Sequence, residues 1–154
     1  MVLAVMLTSA LTCCAFYPKR VGPVGPAGQQ LTWSEMNFSQ RQEHMRNKVL
    51  PITSDIFGSW RPDRHAAVDC SLCHALGKTH GIYDMPTANL PRLSGELFLG
   101  PEFARAPETT RLKLNRLVPE MSAALGLKPF SIVTQRGFGC YSCHLGPGGA
   151  MYGN

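Results

Sequence analysis

Two short segments of the chain combine cysteine and histidine at a spacing that has a specific chemistry. Residues 70–74 read Cys-Ser-Leu-Cys-His, and residues 140–144 read Cys-Tyr-Ser-Cys-His. This pattern is the attachment signature of c-type haem, in which both thiols bond to the haem vinyl groups and the imidazole becomes an axial iron ligand. One helical turn holds the two sulfurs along the porphyrin edge. The pattern predicts two haem c groups, with covalent attachment and proximal iron ligation by Cys70, Cys73, His74, Cys140, Cys143 and His144.

Paired cysteines also occur in zinc sites, in thioredoxin-like redox proteins and in disulfides. A zinc ribbon does not need a histidine at the same offset in both pairs. Neither pair follows a strand in a βαβ pattern, as a thioredoxin motif would. These observations favour haem, with a structural zinc site as the main alternative.

The segments before the two motifs resemble each other at an offset of 68 positions. When residues 47–58 are laid over residues 115–126, an asparagine, a basic residue, two aliphatic residues, a proline, a serine and a glycine coincide. This similarity predicts an internal duplication in which each half runs as helix, glycine stop, loop and motif. We expect the first haem-binding half at residues 32–95 and the second at residues 96–154.

Helical periodicity accompanies both repeats. Apolar residues recur at steps of three, four or seven on a helix beginning near Thr32 or Ser34, and again at steps of three and four in the second half. Pro51 and Pro119 interrupt these patterns and should kink each helix or stand in a first turn. The predicted helix faces are Phe38, Met45, Val49, Ile52 and Ile56, and Leu114, Val118, Met121 and Leu125.

Composition agrees with a small folded domain. The hydrophobic fraction of 44% and charged fraction of 16% are too apolar for a disordered chain and too evenly mixed for a polytopic membrane protein. Gly 15 and Pro 12 require long loops, so the haems should supply much of the core. The predicted fold is mainly α, with two haem-binding helical repeats and long loops.

Methionine and histidine side chains are the candidates for the distal iron position. His–Met ligation suits electron transfer, whereas an open position suits ligand binding or peroxidase chemistry. We expect Met121 at the second haem and Met45, ahead of Met85, at the first. The alternative at the first haem is a second histidine, His44 or His80. In the aligned repeats, Thr53 of the first half corresponds to Met121 of the second, and Lys113 of the second half corresponds to Met45 of the first. The two methionines are therefore not at equivalent positions. The remaining candidates are Met36, His65 and Met151.

The N-terminal residues predict export. Residues 1–16 carry no charge, and this stretch is shorter than the roughly 20 apolar residues of a membrane span but fits the core of a secretory signal, although a positive n-region is missing. The residues before Cys14 resemble a lipoprotein cleavage site, with Cys13 as the less favoured alternative. The alternative is an ordinary signal peptide in which the cysteine pair is incidental and carries no lipid. We expect residues 1–14 to be the leader of a periplasmic or cell-envelope protein with a lipid anchor.

Residues 15–31 alternate glycine and proline without a helical period. Such composition predicts an extended tether, and the 15 residues from 17 to 31 reach on the order of 50 Å when fully stretched. The alternative is a strand that packs along a larger complex.

The order of methionine-bearing helix, loop and Cys-x-x-Cys-His, occurring twice, resembles the tetrahaem cytochrome subunit of photosynthetic reaction centres at half scale. It also resembles small exported dihaem lipoprotein cytochromes. The residues that carry this resemblance are 47–58 with 70–74 and 115–126 with 137–144. The reaction-centre pattern, with the distal methionine in the helix before each motif, implies Met45 and Met121.

The formal net charge of +5 does not indicate nucleic-acid binding, because the basic residues are scattered among acidic ones. Two haems bring roughly four propionate groups, ionised at neutral pH, which would balance most of this charge. The arginines that we expect as propionate partners are Arg61, Arg64, Arg92, Arg105 and Arg136.

These features together predict an electron carrier whose irons cycle between the ferric and ferrous states. Its expected partners are redox proteins or a membrane electron-transport complex. A further interpretation is that the chain is itself a subunit of such a complex. The alternative is a haem enzyme or gas sensor with one open axial site. The short chain and the lack of an evident distal acid–base pair make an enzyme the less favoured interpretation.

Overall fold

A computed structural model of the protein describes residues 17–75, 80–95, 100–131, 133–134 and 136–147. The predicted leader with Cys13 and Cys14, and Met151, lie outside the described residues. This part of the chain is partly helical and contains one small two-stranded sheet, consistent with a mainly α class. No helix in these ranges has the length and apolar character needed to cross a membrane.

The described chain begins with a β-hairpin. Strands β1 (Arg20–Val24) and β2 (Gln30–Thr32) are antiparallel, with Arg20 opposite Thr32. The turn between them closes through a hydrogen bond from the Gly28 N–H to the Gly25 carbonyl at 3.0 Å. Gly28 has a φ of 74°, a conformation that glycine adopts readily.

This hairpin is docked on the helices. The Lys19 N–H donates to the carbonyl of Gly126 at 2.8 Å, and a Cβ on Gly126 would clash with the carbonyl oxygen of Lys19. The buried side chain of Met36 similarly fills the space beside Gly22. The prediction of an extended tether over residues 15–31 is therefore wrong for residues 17–31, the part that the structure describes. The glycines and prolines supply a turn and close backbone approach instead.

The first repeat helix runs through residues 38–60 in three parts. These are α1 (Phe38–His44), a π-helical turn (Met45–Val49) and α2 (Leu50–Trp60). Its N-terminus is a capping box, in which the Asn37 side chain accepts from the Gln40 N–H at 2.9 Å and the Gln40 side chain bonds to the Asn37 N–H. This cap places the start several residues after the predicted Thr32 or Ser34.

Short helices follow the first repeat helix before the second π-helical turn. The one-turn helix α3 (Ser71–His74) carries the first motif, and the short helix α4 (Pro101–Arg105) follows the loop. The second repeat helix, residues 107–124, comprises α5 (Pro107–Leu112), a π-helical turn (Lys113–Leu117) and α6 (Val118–Ala124).

The two π-helical turns occupy equivalent positions in the predicted duplication. Each begins 68 positions from the other and ends just before an α-helix that has proline as its second residue, Pro51 or Pro119. A proline ring clashes with the carbonyl four residues earlier in a regular α-helix, and the wider turn before it moves that carbonyl. The position of each proline in a first turn was predicted, and the shared irregularity supports the duplication.

The repeat helices pack against each other around a small apolar cluster. Val49, Met121 and Leu125 are buried at its centre, with Met45 and Leu117 packed around them. At the edge, Arg116 bridges the helices by pairing with Asp55 at 3.0 Å and with Glu120 at 3.1 Å. These exposed ion pairs contribute little, so the packing of the apolar cluster fixes the arrangement.

Candidate functional site

Both Cys-x-x-Cys-His motifs form a single helical turn. The His74 N–H donates to the carbonyl of Cys70 and the His144 N–H to that of Cys140, each at 2.9 Å. The first turn is α-helical, whereas the second begins as a 3₁₀ turn over Cys140–Ser142. All four motif cysteines are free thiols. The local geometry predicted from the spacing is therefore present in both motifs.

The loop before the second motif requires glycine. The N–H of Phe138 donates to the Lys128 carbonyl at 2.8 Å, which brings two chain segments together beside Gly137. Gly137 has a φ of 112°, and a Cβ there would lie 2.5 Å from the Pro129 oxygen. This close approach sets the direction in which the chain enters Cys140.

The two motifs line one cavity of about 1100 Å³. Its volume exceeds the range of roughly 300–1,000 Å³ that is usual for a pocket holding one small molecule. The wall is predominantly apolar and includes aromatic rings from several parts of the chain, among them Trp33, Tyr83, Phe103 and Phe138. The motif residues in the wall are Cys70, Cys73, His74, Cys140 and Cys143.

The repeat helices form two walls of this cavity. All four residues of the face predicted for the second helix lie there: Leu114, Val118, Met121 and Leu125. In the first helix, Phe38, Met45 and Val49 do so as predicted, but Ile56 is completely buried away from the cavity and Ile52 lines a separate small pocket.

The departure in the first helix is a difference of phase, because its predicted face lies one position away from the face predicted for the second helix when the repeats are aligned. Leu50 and Thr53 line the cavity, whereas Ile52 and Ile56 do not. Leu50 and Thr53 are the repeat equivalents of Val118 and Met121. The two helices therefore present equivalent faces to the same cavity.

Three predicted distal ligands, Met45, Met85 and Met121, line the cavity. Of the histidine alternatives, neither His44 nor His80 does. His44 is buried and donates from its ring Nε2 to the carbonyl of Ala124 at 2.8 Å. Among these candidates for the distal position, the three methionines line the cavity and these two histidines do not.

The other two described candidates also lie elsewhere. The ring of His65 stacks on Trp60, with the two planes 18° apart. Met36 is buried against Gly22, outside the cavity wall.

His144 is oriented by a hydrogen bond to the loop that follows the first motif. Its ring Nδ1 donates to the carbonyl oxygen of Pro91 at 2.7 Å, which leaves Nε2 as the nitrogen available to a metal. Burial lowers the pKa of His144 and the Pro91 carbonyl raises it, with a net lowering. A neutral imidazole is the form that binds a metal. His144 itself is half-buried and is not part of the cavity wall, so its assignment rests on this bond.

His74 has different surroundings. Its Nδ1 is buried and finds no hydrogen-bond partner among the described residues. The ring lies edge-on to Tyr83, with 5.5 Å between the ring centroids, and burial lowers its pKa. The two predicted proximal ligands are therefore held by unlike contacts.

We call residues 87–93 the strap. This segment follows the first motif in the chain, and its hydrogen bonds hold the second motif. The Thr87 N–H donates to the Cys143 carbonyl at 3.1 Å, and the Leu93 N–H donates to the Leu145 carbonyl at 2.9 Å. The Arg92 guanidinium donates to the carbonyl of Gly146. The chain leaving the first motif is thus part of the second site.

Three of the motif thiols have a raised pKa. The pKa of Cys143 is raised to about 12, mainly by burial and also by the neighbouring Cys73, against an opposing effect of Lys113. Burial also raises the pKa of Cys73 and of Cys140. Zinc needs thiolates arranged around the ion. Within the described ranges, no three His, Cys, Asp or Glu residues are grouped to hold a metal ion, so the zinc alternative gains no support.

Exposed apolar side chains gather at the cavity. Phe38, Ile82 and Leu114 are 60%, 54% and 36% exposed, respectively, and all three belong to its wall. Clustered apolar exposure of this kind marks a surface that a ligand or partner covers. An apolar macrocycle in the cavity would remove these side chains from water.

Of the five arginines predicted as propionate partners, only Arg136 lines the cavity. Arg61 lies over the ring of Trp60, and Arg92 belongs to the strap. Sequence reasoning missed two arginines that do line it, Arg41 and Arg46. Their positions on the cavity-facing side of the first helix could have been found by extending the Phe38–Met45–Val49 face by one residue.

Comparisons of the chain with protein-family models, with curated proteins and with solved structures found no match.

Proposed function

We propose that this protein is an exported dihaem c-type cytochrome that carries electrons between redox partners. The observation that carries the proposal is the convergence of both motifs on one apolar cavity, which three methionines also line. The paired arrangement of thiols and imidazole in each motif fits attachment of one haem apiece.

The residues present fit this group in three further ways. The cysteines are free, and each thiol can add across a vinyl double bond, its sulfur taking one carbon and its hydrogen the other, without net oxidation. The hydrogen bond from His144 to Pro91 sets the tautomer that ligation requires. The exposed apolar side chains around the cavity would be shielded from water by bound haem.

In this proposal the chain's own residues hold and orient the groups. Cys70 and Cys73 attach the first haem and Cys140 and Cys143 the second, while His74 and His144 occupy the proximal positions. Met45 and Met121 take the distal positions, as expected from the sequence, and Met85 is the alternative at the first haem. Bound haem supplies an iron that exchanges one electron between its ferric and ferrous states.

The methionines favour an electron carrier over an enzyme or gas sensor. The cavity wall offers three thioether side chains for two irons, so both distal positions can be filled by the protein. Filled positions exclude water and small ligands while permitting electron transfer. We further propose location in the periplasm or cell envelope, with a lipid anchor at Cys14 or Cys13 and a redox protein or membrane electron-transport complex as partner.

The test is expression of the full chain in a bacterium with haem c maturation. We expect the intact mass and the pyridine haemochrome spectrum to give two covalent haems per chain. The double variants Cys70→Ala/Cys73→Ala and Cys140→Ala/Cys143→Ala should each retain one, whereas Cys13→Ala/Cys14→Ala should lose only a lipid. Absence of covalent haem would overturn the proposal. Carbon monoxide binding to one of the two ferrous haems would favour the open-site alternative.

A further inference from the structure

The two motifs share a cavity although they are 70 positions apart in the sequence. Cys70, Cys73, Cys140 and Cys143 all belong to its wall. In a chain with two independent haem-binding halves, each motif would face a cavity of its own. The following inference rests on the proposed function and concerns how this chain arranges the two haems that it attaches.

The chain that leaves the first motif returns directly to the second. The Thr87 N–H, only 14 positions after Cys73, donates to the Cys143 carbonyl at 3.1 Å. Cys73 and Cys143, the second cysteines of the two motifs, are therefore joined by one short segment as well as lying in the same cavity wall.

The two methionines proposed as distal ligands, Met45 and Met121, also lie close to one apolar cluster. Met121 belongs to the buried cluster with Val49 and Leu125, and Met45 packs against that cluster. The methionine contributed by each repeat helix is therefore part of one continuous apolar wall. The chain brings both the attachment sides and the distal sides together.

We propose that Cys73 and Cys143 direct their haems into this single cavity as a contacting pair, with no layer of protein between the two macrocycles. The walls that enclose the pair are equivalent faces of the two repeat helices, at Leu50 and Thr53 and at Val118 and Met121. The functional unit is the pair, within which an electron is exchanged inside one molecule without crossing a helix.

The test compares the wild-type holoprotein with the two single-haem variants, Cys70→Ala/Cys73→Ala and Cys140→Ala/Cys143→Ala. Contacting haems couple their transitions, so we expect a bisignate Soret couplet in the circular dichroism of the wild type. Its amplitude should be several-fold larger than in the sum of the two variants. A wild-type spectrum equal to that sum would overturn the inference while leaving the proposed function intact.

Electron paramagnetic resonance of the ferric wild type provides a test that does not depend on the variants folding. We expect spin coupling to reduce or broaden the low-spin signals, so that they integrate to less than two spins for two haems counted by haemochrome. Two full, uncoupled spins would contradict a contacting pair. A haemochrome count of zero would instead overturn the proposed function, and the inference with it.

Discussion

The ring Nδ1 of His144 donates a hydrogen bond to the carbonyl oxygen of Pro91, at 2.7 Å. Pro91 lies in the strap, so the loop after the first motif orients the histidine of the second. A backbone acceptor on the non-ligating nitrogen makes an imidazole a stronger metal ligand. Because His74 has no such partner among the described residues, we expect the second haem to have the lower reduction potential.

The strap can be loosened through Arg92, whose guanidinium holds the Gly146 carbonyl. We expect Arg92→Ala to raise the reduction potential of the second haem by about 40 mV, equivalent to about 1 kcal/mol, because the bond from His144 to Pro91 weakens. The measurement is a redox titration in the background that keeps only the second haem, Cys70→Ala/Cys73→Ala. Arg64→Ala, an exposed change beside Asp63, is the control, and equal potentials in both would contradict the prediction.

Leucine substitutions preserve volume and remove the thioether, so they separate ligation from packing. We expect Met45→Leu and Met121→Leu each to open one haem to carbon monoxide in the ferrous state and to lower its potential. Met85→Leu should leave both haems closed. Met36→Leu, at a buried position outside the cavity, is the control. Carbon monoxide binding in Met85→Leu with none in Met45→Leu would reassign the first haem to Met85.

Lys113 is a cation whose charge acts on Cys73, Cys140, Cys143 and His144. A nearby positive charge disfavours the ferric state, so Lys113→Gln should lower the haem potentials by about 40 mV, or about 1 kcal/mol. Spectroelectrochemical titration measures this shift. Lys48→Gln, on the small pocket beside His44, removes a charge away from the motifs and should have little effect. A similar decrease in both variants would show a general charge effect instead.

Gly137→Ala should destabilise the protein by roughly 3 kcal/mol, because a side chain at a φ of 112° is strained and its Cβ would meet the Pro129 carbonyl. Urea unfolding of the holoprotein measures this loss. Gly28→Ala is the matched control, since its φ of 74° carries strain but a Cβ there meets nothing within 4 Å. We expect it to lose about 1 kcal/mol. Equal losses would mean that the contact with Pro129 is unimportant.

The hairpin should contribute more to the stability of the folded protein at neutral pH than at acidic pH. The Thr32 N–H, the Thr32 hydroxyl and Arg20 all favour the Glu35 carboxylate and lower its pKa below the ordinary value of 4.5. The folded state therefore binds fewer protons, so the stabilisation is present above pH 4.5 and is lost as the pH falls through the lowered pKa.

Glu35→Gln keeps an acceptor oxygen but removes the charge. We expect its thermal midpoint to lie below that of the wild type at neutral pH, and the difference to shrink as the pH falls below 4.5 and through the lowered pKa of Glu35. Arg20→Gln should reproduce part of this effect, because it removes the ion pair and leaves the cap. A difference that stays constant with pH would contradict the assignment to the carboxylate.

Features that depend on a few neighbouring residues were evident from the sequence. Each motif closes one helical turn, the two repeats share their prolines, and the face from Leu114 to Leu125 lines one wall, as periodicity predicted. These are local properties, because backbone sterics and side-chain spacing set them within a turn or two.

Features that join distant segments came only from the tertiary structure. The bond from His144 to Pro91 spans 53 positions and the bond from His44 to Ala124 spans 80, and no local period encodes either pairing. The same holds for residues 20–32, whose glycines and prolines suit a free tether as well as a hairpin until Lys19 is seen bound to Gly126. By itself the sequence determined which residues have the chemistry of haem attachment. The packing of the two repeat helices decided that both motifs face one cavity, because burial of their shared apolar cluster orients the whole of each half.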